Sequence, residues 1–92
     1  MDQSYILAAF RSRQQAIAFD LQLRARGMST KVVASPTEIA RGCGVAVLLE
    51  PEDLSDVLQM GMHQRYNGFE GFYQRKKEYQ GYRWYRLGSA NF

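Results

Sequence analysis

The single thiol of the chain, Cys43, stands between Gly42 and Gly44 in SPTEIARGCGVAVLLE, residues 35–50. A lone cysteine has two very different uses. It can fill a gap as a small buried hydrophobe, and free cysteine is among the most buried residue types. It can instead be an accessible nucleophile, because the thiolate is the reactive form and nearby positive charge or a helix N-terminus lowers its pKa. The flanking glycines remove side-chain bulk and permit positive φ, which leaves room for a reagent or a partner protein. Gly42 is equally explained as the C-cap of a short helix, so the glycines alone do not choose. One cysteine cannot close an internal disulfide, which fits a reducing cytoplasm. With His63 alone it also falls short of the four ligands of a structural zinc site. Neither a metal nor another cofactor is expected.

Other residues offer less chemistry. His63, in QMGMHQR, is a candidate base toward Cys43, but no third group orients it, and a lone helical histidine reads more simply as a solvated surface residue. Glu50, Glu52, Asp53 and Asp56 suggest a cation site less well than they suggest the acidic first turn of a helix. RGCGVAV is not a dinucleotide fingerprint, since it lacks the third glycine and leads into a strand. Met60 and Met62 read as packing residues at a helix end.

The net charge of +3 is unevenly placed. Residues 1–64 carry six Arg/Lys against seven Asp/Glu, whereas residues 65–92 carry six against two and hold nine of the twelve aromatics. A basic, aromatic tail suits an anionic partner or a docking surface. FEGFYQRKK nevertheless does not match the RNP1 pattern, so nucleic acid is not expected as a partner. No apolar run approaches the ~20 residues that span a bilayer, and no signal peptide is evident. The expected location is cytoplasmic, with no membrane partner.

The elements that must position Cys43 follow from periodicity and punctuation. YILAAF, residues 5–10, is too short for a helix and suits a buried strand. SRQQAIAFDLQLRARG reads as a helix, capped by Ser12, stopped by Gly27 and apolar along Ala16, Phe19 and Leu23. TKVVAS is a β-branched strand. In SPTEIARG, Ser35, Pro36 and Glu38 match a capping box, which predicts one or two helical turns ending at Gly42. GVAVLL is a buried strand. Pro51 opens a second long helix with Leu54, Val57, Leu58 and Gly61 inward, ending near residues 63–66 before the turn dipeptide Asn67-Gly68. FEGFYQRKK is a fourth strand. Residues 79–87 form an added fifth strand or an arm over the domain.

The order β-α-β-β-α-β with right-handed crossovers predicts an α+β ferredoxin-like sandwich. Its antiparallel sheet has the order 4-1-3-2, with two helices on one face. Residues 1–77 form that domain and residues 78–92 a C-terminal basic and aromatic extension. The third strand runs antiparallel to the first, so its start lies beside Arg11, Ser12 and Arg13, where the first long helix presents free N–H groups. The predicted 36–41 helix points its negative end at Cys43, and Arg41 opposes that. Arg11, Ser12, Arg13 and Arg41 are therefore the candidate stabilisers of a thiolate or bound anion, and Gly42 and Gly44 shape the loop.

YILAAFRS, a helix closed by glycine, PTEIARGCG before an apolar strand, the PEDL helix start and FEGFY together resemble the DUF3343 family of Se/S carrier-like proteins over about residues 4–75. The resemblance implies that Cys43 corresponds to a cysteine carrying sulfur or selenium as a transient persulfide or selenopersulfide. It implies donor and recipient proteins as partners, with the tail available for docking or a homodimer. A carrier or binding protein is expected rather than a turnover enzyme. The alternative is a non-catalytic regulatory or protein/RNA-binding module in which Cys43 is structural, because such sheets serve many purposes.

Overall fold

A computed structural model describes residues 5–39 and 44–87. The chain forms β1 (Ile6–Phe10), α1 (Arg13–Ala25), β2 (Lys31–Ala34), β3 (Val45–Leu49), α2 (Leu54–Met60), β4 (Phe69–Glu78) and β5 (Gly81–Arg86). Single 3-10 turns at Pro51–Asp53 and Met62–Arg65 flank α2.

The five strands make one antiparallel sheet in the order β2-β3-β1-β4-β5. A four-stranded domain was expected, with residues 79–87 as either a fifth strand or an arm. Of these two alternatives the strand is found: Tyr79 and Gln80 turn the chain back, and β5 pairs with β4 from Glu78↔Gly81 to Tyr73↔Arg86. The tail residues up to Arg86 are thus an edge strand and not an arm.

Register fixes which side chains share a face. Ile6, Ala8 and Phe10 align with Leu49, Val47 and Val45 on one side, and Ala8 aligns with Phe72 on the other. These residues join Ala16, Phe19 and Leu23 of α1, with Val57 and Met62, in the main core. The sequence places Ala16, Phe19 and Leu23 on one helical face, and all three are fully buried. Phe10 and Phe19 approach with ring centroids 5.3 Å apart, and Tyr66 stands edge-on to both. Leu7, Ala9 and Ala46 point to the opposite face, yet they are buried as well. The centre of the sheet is therefore buried on both faces, whereas the outer face of β4 and β5 is partly exposed.

The caps behave as the sequence requires at α1. Ser12 Oγ accepts a hydrogen bond from the Gln15 backbone N–H at 3.2 Å. At the other end Gly27 takes φ +88°, its N–H donates to Arg24 O, and Met28 N–H donates to Leu23 O. That pair of bonds is the Schellman closure, which needs a residue able to enter the left-handed region. The second helix is shorter than expected. Gly61 adopts φ +63° and ends α2, and only a 3-10 turn continues to Arg65. Of the helix predicted from Pro36, only residues up to Ile39 are among those described, and these are not helical. Thr37–Ile39 form a turn closed by Ile39 N–H donating to Pro36 O at 3.0 Å. Ser35 Oγ is buried with no hydrogen-bond partner, so the capping box does not form.

No helix among the described residues is long and apolar enough to cross a membrane.

Candidate functional site

Cys43, Gly42 and Arg41 lie outside the described residues. The chain resumes at Gly44, whose carbonyl accepts a hydrogen bond from Ser35 N–H at 3.2 Å. Val45 then pairs with both Phe10 and Ala34. Because Phe10 leads directly into Arg11, the start of β3 and the entry to α1 share one edge of the sheet, as the strand order requires.

That edge is stitched to the turn before β4. Arg11 N–H donates to Gly68 O at 2.8 Å, and its guanidinium donates to Asn67 O at 2.7 Å. Gln15 closes the same turn, accepting from Gly68 N–H at 2.8 Å and donating to Asn67 Oδ1 at 2.9 Å. Arg11 Nε also lies 3.8 Å from a Glu70 carboxylate oxygen. An exposed pair at that distance contributes little energy, but it shows where the guanidinium is directed. It leans toward β4, on the side of β1 away from β3. Ser12 is occupied as the α1 cap. Arg13 is exposed, and no ion pair among the described residues involves it.

His63 has a different environment from the solvated surface expected. It is 2% exposed and packed against Phe69 and Phe72, each with ring centroid 5.1 Å away. Neither ring nitrogen has a hydrogen-bond partner. Burial holds its pKa below the ordinary histidine value, because the charged form loses hydration without a compensating partner. The 3-10 turn after Gly61 swings this residue into the aromatic core, which helical periodicity alone did not indicate. A ring enclosed in this way is a core residue in the described structure and not a base open to solvent.

The wider clefts lie elsewhere. A groove of about 680 Å³ is lined by Tyr5, Arg24, Met28, Thr30, Lys31 and Glu50. These residues bracket the end of β3 and the start of β2, so five strand residues at ~3.4 Å each separate the groove from Gly44. Beneath it the buried Asp20 accepts hydrogen bonds from Thr30 Oγ1 at 2.6 Å and Arg24 Nε at 3.0 Å. A smaller cleft of about 290 Å³ joins Glu38 and Ile39, just before the cysteine segment, to Tyr73, Tyr82, Arg83 and Trp84. Sequence reading did not find it. Its signal was present as alternation in two segments, Tyr73-x-Arg75-x-Lys77 and Tyr82-x-Trp84-x-Arg86, but the alternation gains meaning only when the two strands pair.

No group of three or more His, Cys, Asp or Glu side chains suited to a metal occurs among the described residues. No curated protein and no solved structure shows a significant match to the chain. The family model described as "Putative Se/S carrier protein-like" matches residues 5–74, which include β1 through most of β4 and the cysteine segment, and the chain belongs to that family.

Proposed function

We propose that the protein is a sulfur or selenium carrier whose working group is the Cys43 thiolate. The family match across residues 5–74 carries this reading. In this reading the thiolate attacks the terminal sulfur of a donor protein's persulfide. The donor's S–S bond breaks, its thiolate leaves, and Cys43 holds the transferred sulfur as its own persulfide. A recipient thiolate repeats the displacement and regenerates Cys43. Neither transfer needs an external oxidant, and a selenopersulfide follows the same balance. The chemistry asks for an accessible thiolate, nearby positive charge and a docking surface, without a metal, a catalytic triad or a deep pocket.

Gly42 and Gly44 supply the uncrowded loop, with Arg11, Ser12, Arg13 and Arg41 as the stabilising groups. Arg13 is the first cation to test, since Arg11 is directed at Asn67 and Glu70. The partners are donor and recipient proteins in the cytoplasm. Within the five-stranded sheet, β1–β4 and the helices are read as a ferredoxin-like unit of residues 1–77, to which residues 78–92 add an edge.

Incubating the full chain with a low-molecular-weight persulfide and weighing it intact tests this reading. One added sulfur is expected, and it disappears in Cys43→Ser. Alkylation rate against pH should place the thiol below the free value of ~8.5, and Arg13→Ala should raise it. A Cys43 that takes up no sulfur, or titrates above that value, overturns the proposal.

A further inference from the structure

A second surface lies on β4 and β5, apart from the cysteine edge. In β4 and β5, cross-strand pairing puts Arg75 opposite Trp84, Lys77 opposite Tyr82 and Tyr73 opposite Arg86. Because Tyr73 aligns with Leu7, this set lies on the sheet face turned away from the main core. Each of these cross-strand pairs therefore sets an aromatic side chain against a cationic one on the same side of the sheet. The linear segment FEGFYQRKK does not show this arrangement, because half of the platform belongs to β5.

Tyr82 is held in place and remains exposed, while Tyr73 and Trp84 are half-buried beside it. The Arg75 guanidinium sits between Tyr5 and Tyr82, 4.4 and 4.2 Å from their ring centroids. Such contacts orient the Tyr82 ring, which stays 49% exposed. The acidic residues of the two strands are engaged elsewhere. Glu78 pairs with Arg83 and accepts from the Tyr85 hydroxyl, and Glu70 pairs with Arg11. Among the described residues, the one carboxylate that lines the cleft is Glu38.

We propose that the Tyr73–Tyr82–Trp84 face of β4–β5, with the Glu38–Ile39 turn as its rim, binds single-stranded RNA. Bases present flat π-faces to the rings that border the cleft, and phosphates are met by the Arg and Lys side chains paired with those rings across the two strands. An acidic peptide would satisfy the cations but would leave the ring platform without a matching surface. Glu38 repels a phosphate, yet it can accept a hydrogen bond from a ribose 2′-hydroxyl, the group that separates RNA from DNA. A duplex hides its base faces and cannot stack here. The proposal makes no use of Cys43 and stands apart from sulfur carriage.

The site contains the only tryptophan of the chain, which supplies a direct readout. Titration of the full-length protein with a mixed-sequence single-stranded RNA should quench Trp84 fluorescence. A fluorescein-labelled copy should rise in anisotropy with the same midpoint, and the affinity should fall as salt is raised. Tyr82→Ala, shown folded by circular dichroism, should weaken binding about five- to hundredfold. Trp84→Phe should retain most of it. DNA of the same sequence, the matching RNA duplex and a poly-glutamate peptide should each bind more weakly. No binding at low salt, anisotropy without Trp84 quenching, or a Tyr82→Ala variant that binds normally would overturn the platform. Equal affinity for DNA or poly-glutamate would overturn the assignment to RNA.

Discussion

The two faces of the sheet use the same kinds of residue for opposite ends. On the helix side, Phe10, Phe19, Phe69 and Phe72 meet at centroid distances of 4.9–5.5 Å, and His63 is enclosed among them. On the other side, Tyr73, Tyr82 and Trp84 flank a cleft beside charged side chains. Phe72 and Tyr73 are neighbours in sequence and differ only in parity along β4. Alternation decides whether a ring meets α1 and α2 or an open cleft. Ring chemistry then adds a second selection. The buried apolar rings of the helix-side core are phenylalanines, whereas the outer face carries hydroxyl and indole groups that tolerate water.

Truncation should separate the two faces by energy. Phe72→Ala removes a fully buried ring and should cost about 3–5 kcal/mol in urea unfolding. For a chain of this size each kcal/mol lowers Tm by about 4–8 °C, so that variant should melt well over ten degrees below wild type. Trp84→Ala, at a half-buried position, should cost about 1 kcal/mol. Equal losses would mean that the outer face is a second core and not an open platform.

The histidine gives a sharper test, because its effect depends on pH. The folded state lowers the His63 pKa below its ordinary value of 6.5, so the unfolded chain binds the proton more readily. Stability is then fully present above about 6.5 and is lost as pH falls toward the folded-state pKa. The slope in that window approaches about 1.4 kcal/mol per pH unit. His63→Leu should remove most of this acid limb while leaving stability near pH 8 little changed, since the wild-type ring makes no hydrogen bond there. Urea midpoints from pH 8 to pH 5 read both effects. An unchanged acid limb in the variant would show that another group drives it.

Much of this arrangement was legible in the residues. The strands at YILAAF, KVVA and VAVLL, the Ser12 cap, the Gly27 stop and the inward face of α1 all follow from local rules and recur in the fold. What local rules missed depended on tertiary choices. SPTE carries the letters of a capping box, but Ser35 is drawn into the β2–β3 ladder end through its N–H, and its hydroxyl does not cap. Gly61 could have continued a helix. Its left-handed turn instead redirects Met62 and His63 into the core. β5 was readable as alternation, yet an edge strand declares itself only through its partner. For the site, the shared edge of Gly44 and Arg11 followed from strand direction, whereas the direction of the Arg11 guanidinium depends on Asn67 and Glu70, which no short-range pattern connects to it.

The smallest of the expected effects falls at that edge. Ser12→Ala removes the hydroxyl that accepts from Gln15 N–H and should cost about 1 kcal/mol, or roughly 4–8 °C in Tm. Asp at this position should restore the cap and add a negative charge beside the helix N-terminus, where the macrodipole favours it. The two variants therefore separate structure from electrostatics. If the edge only holds α1 in place, Ser12→Asp should match wild type in every respect. If the positive end of α1 acts on a thiolate at Cys43, Ser12→Asp should fold as well as wild type but alkylate more slowly near pH 7, because the added carboxylate opposes the thiolate. Equal stability with a lower alkylation rate is the result that joins this edge to the cysteine.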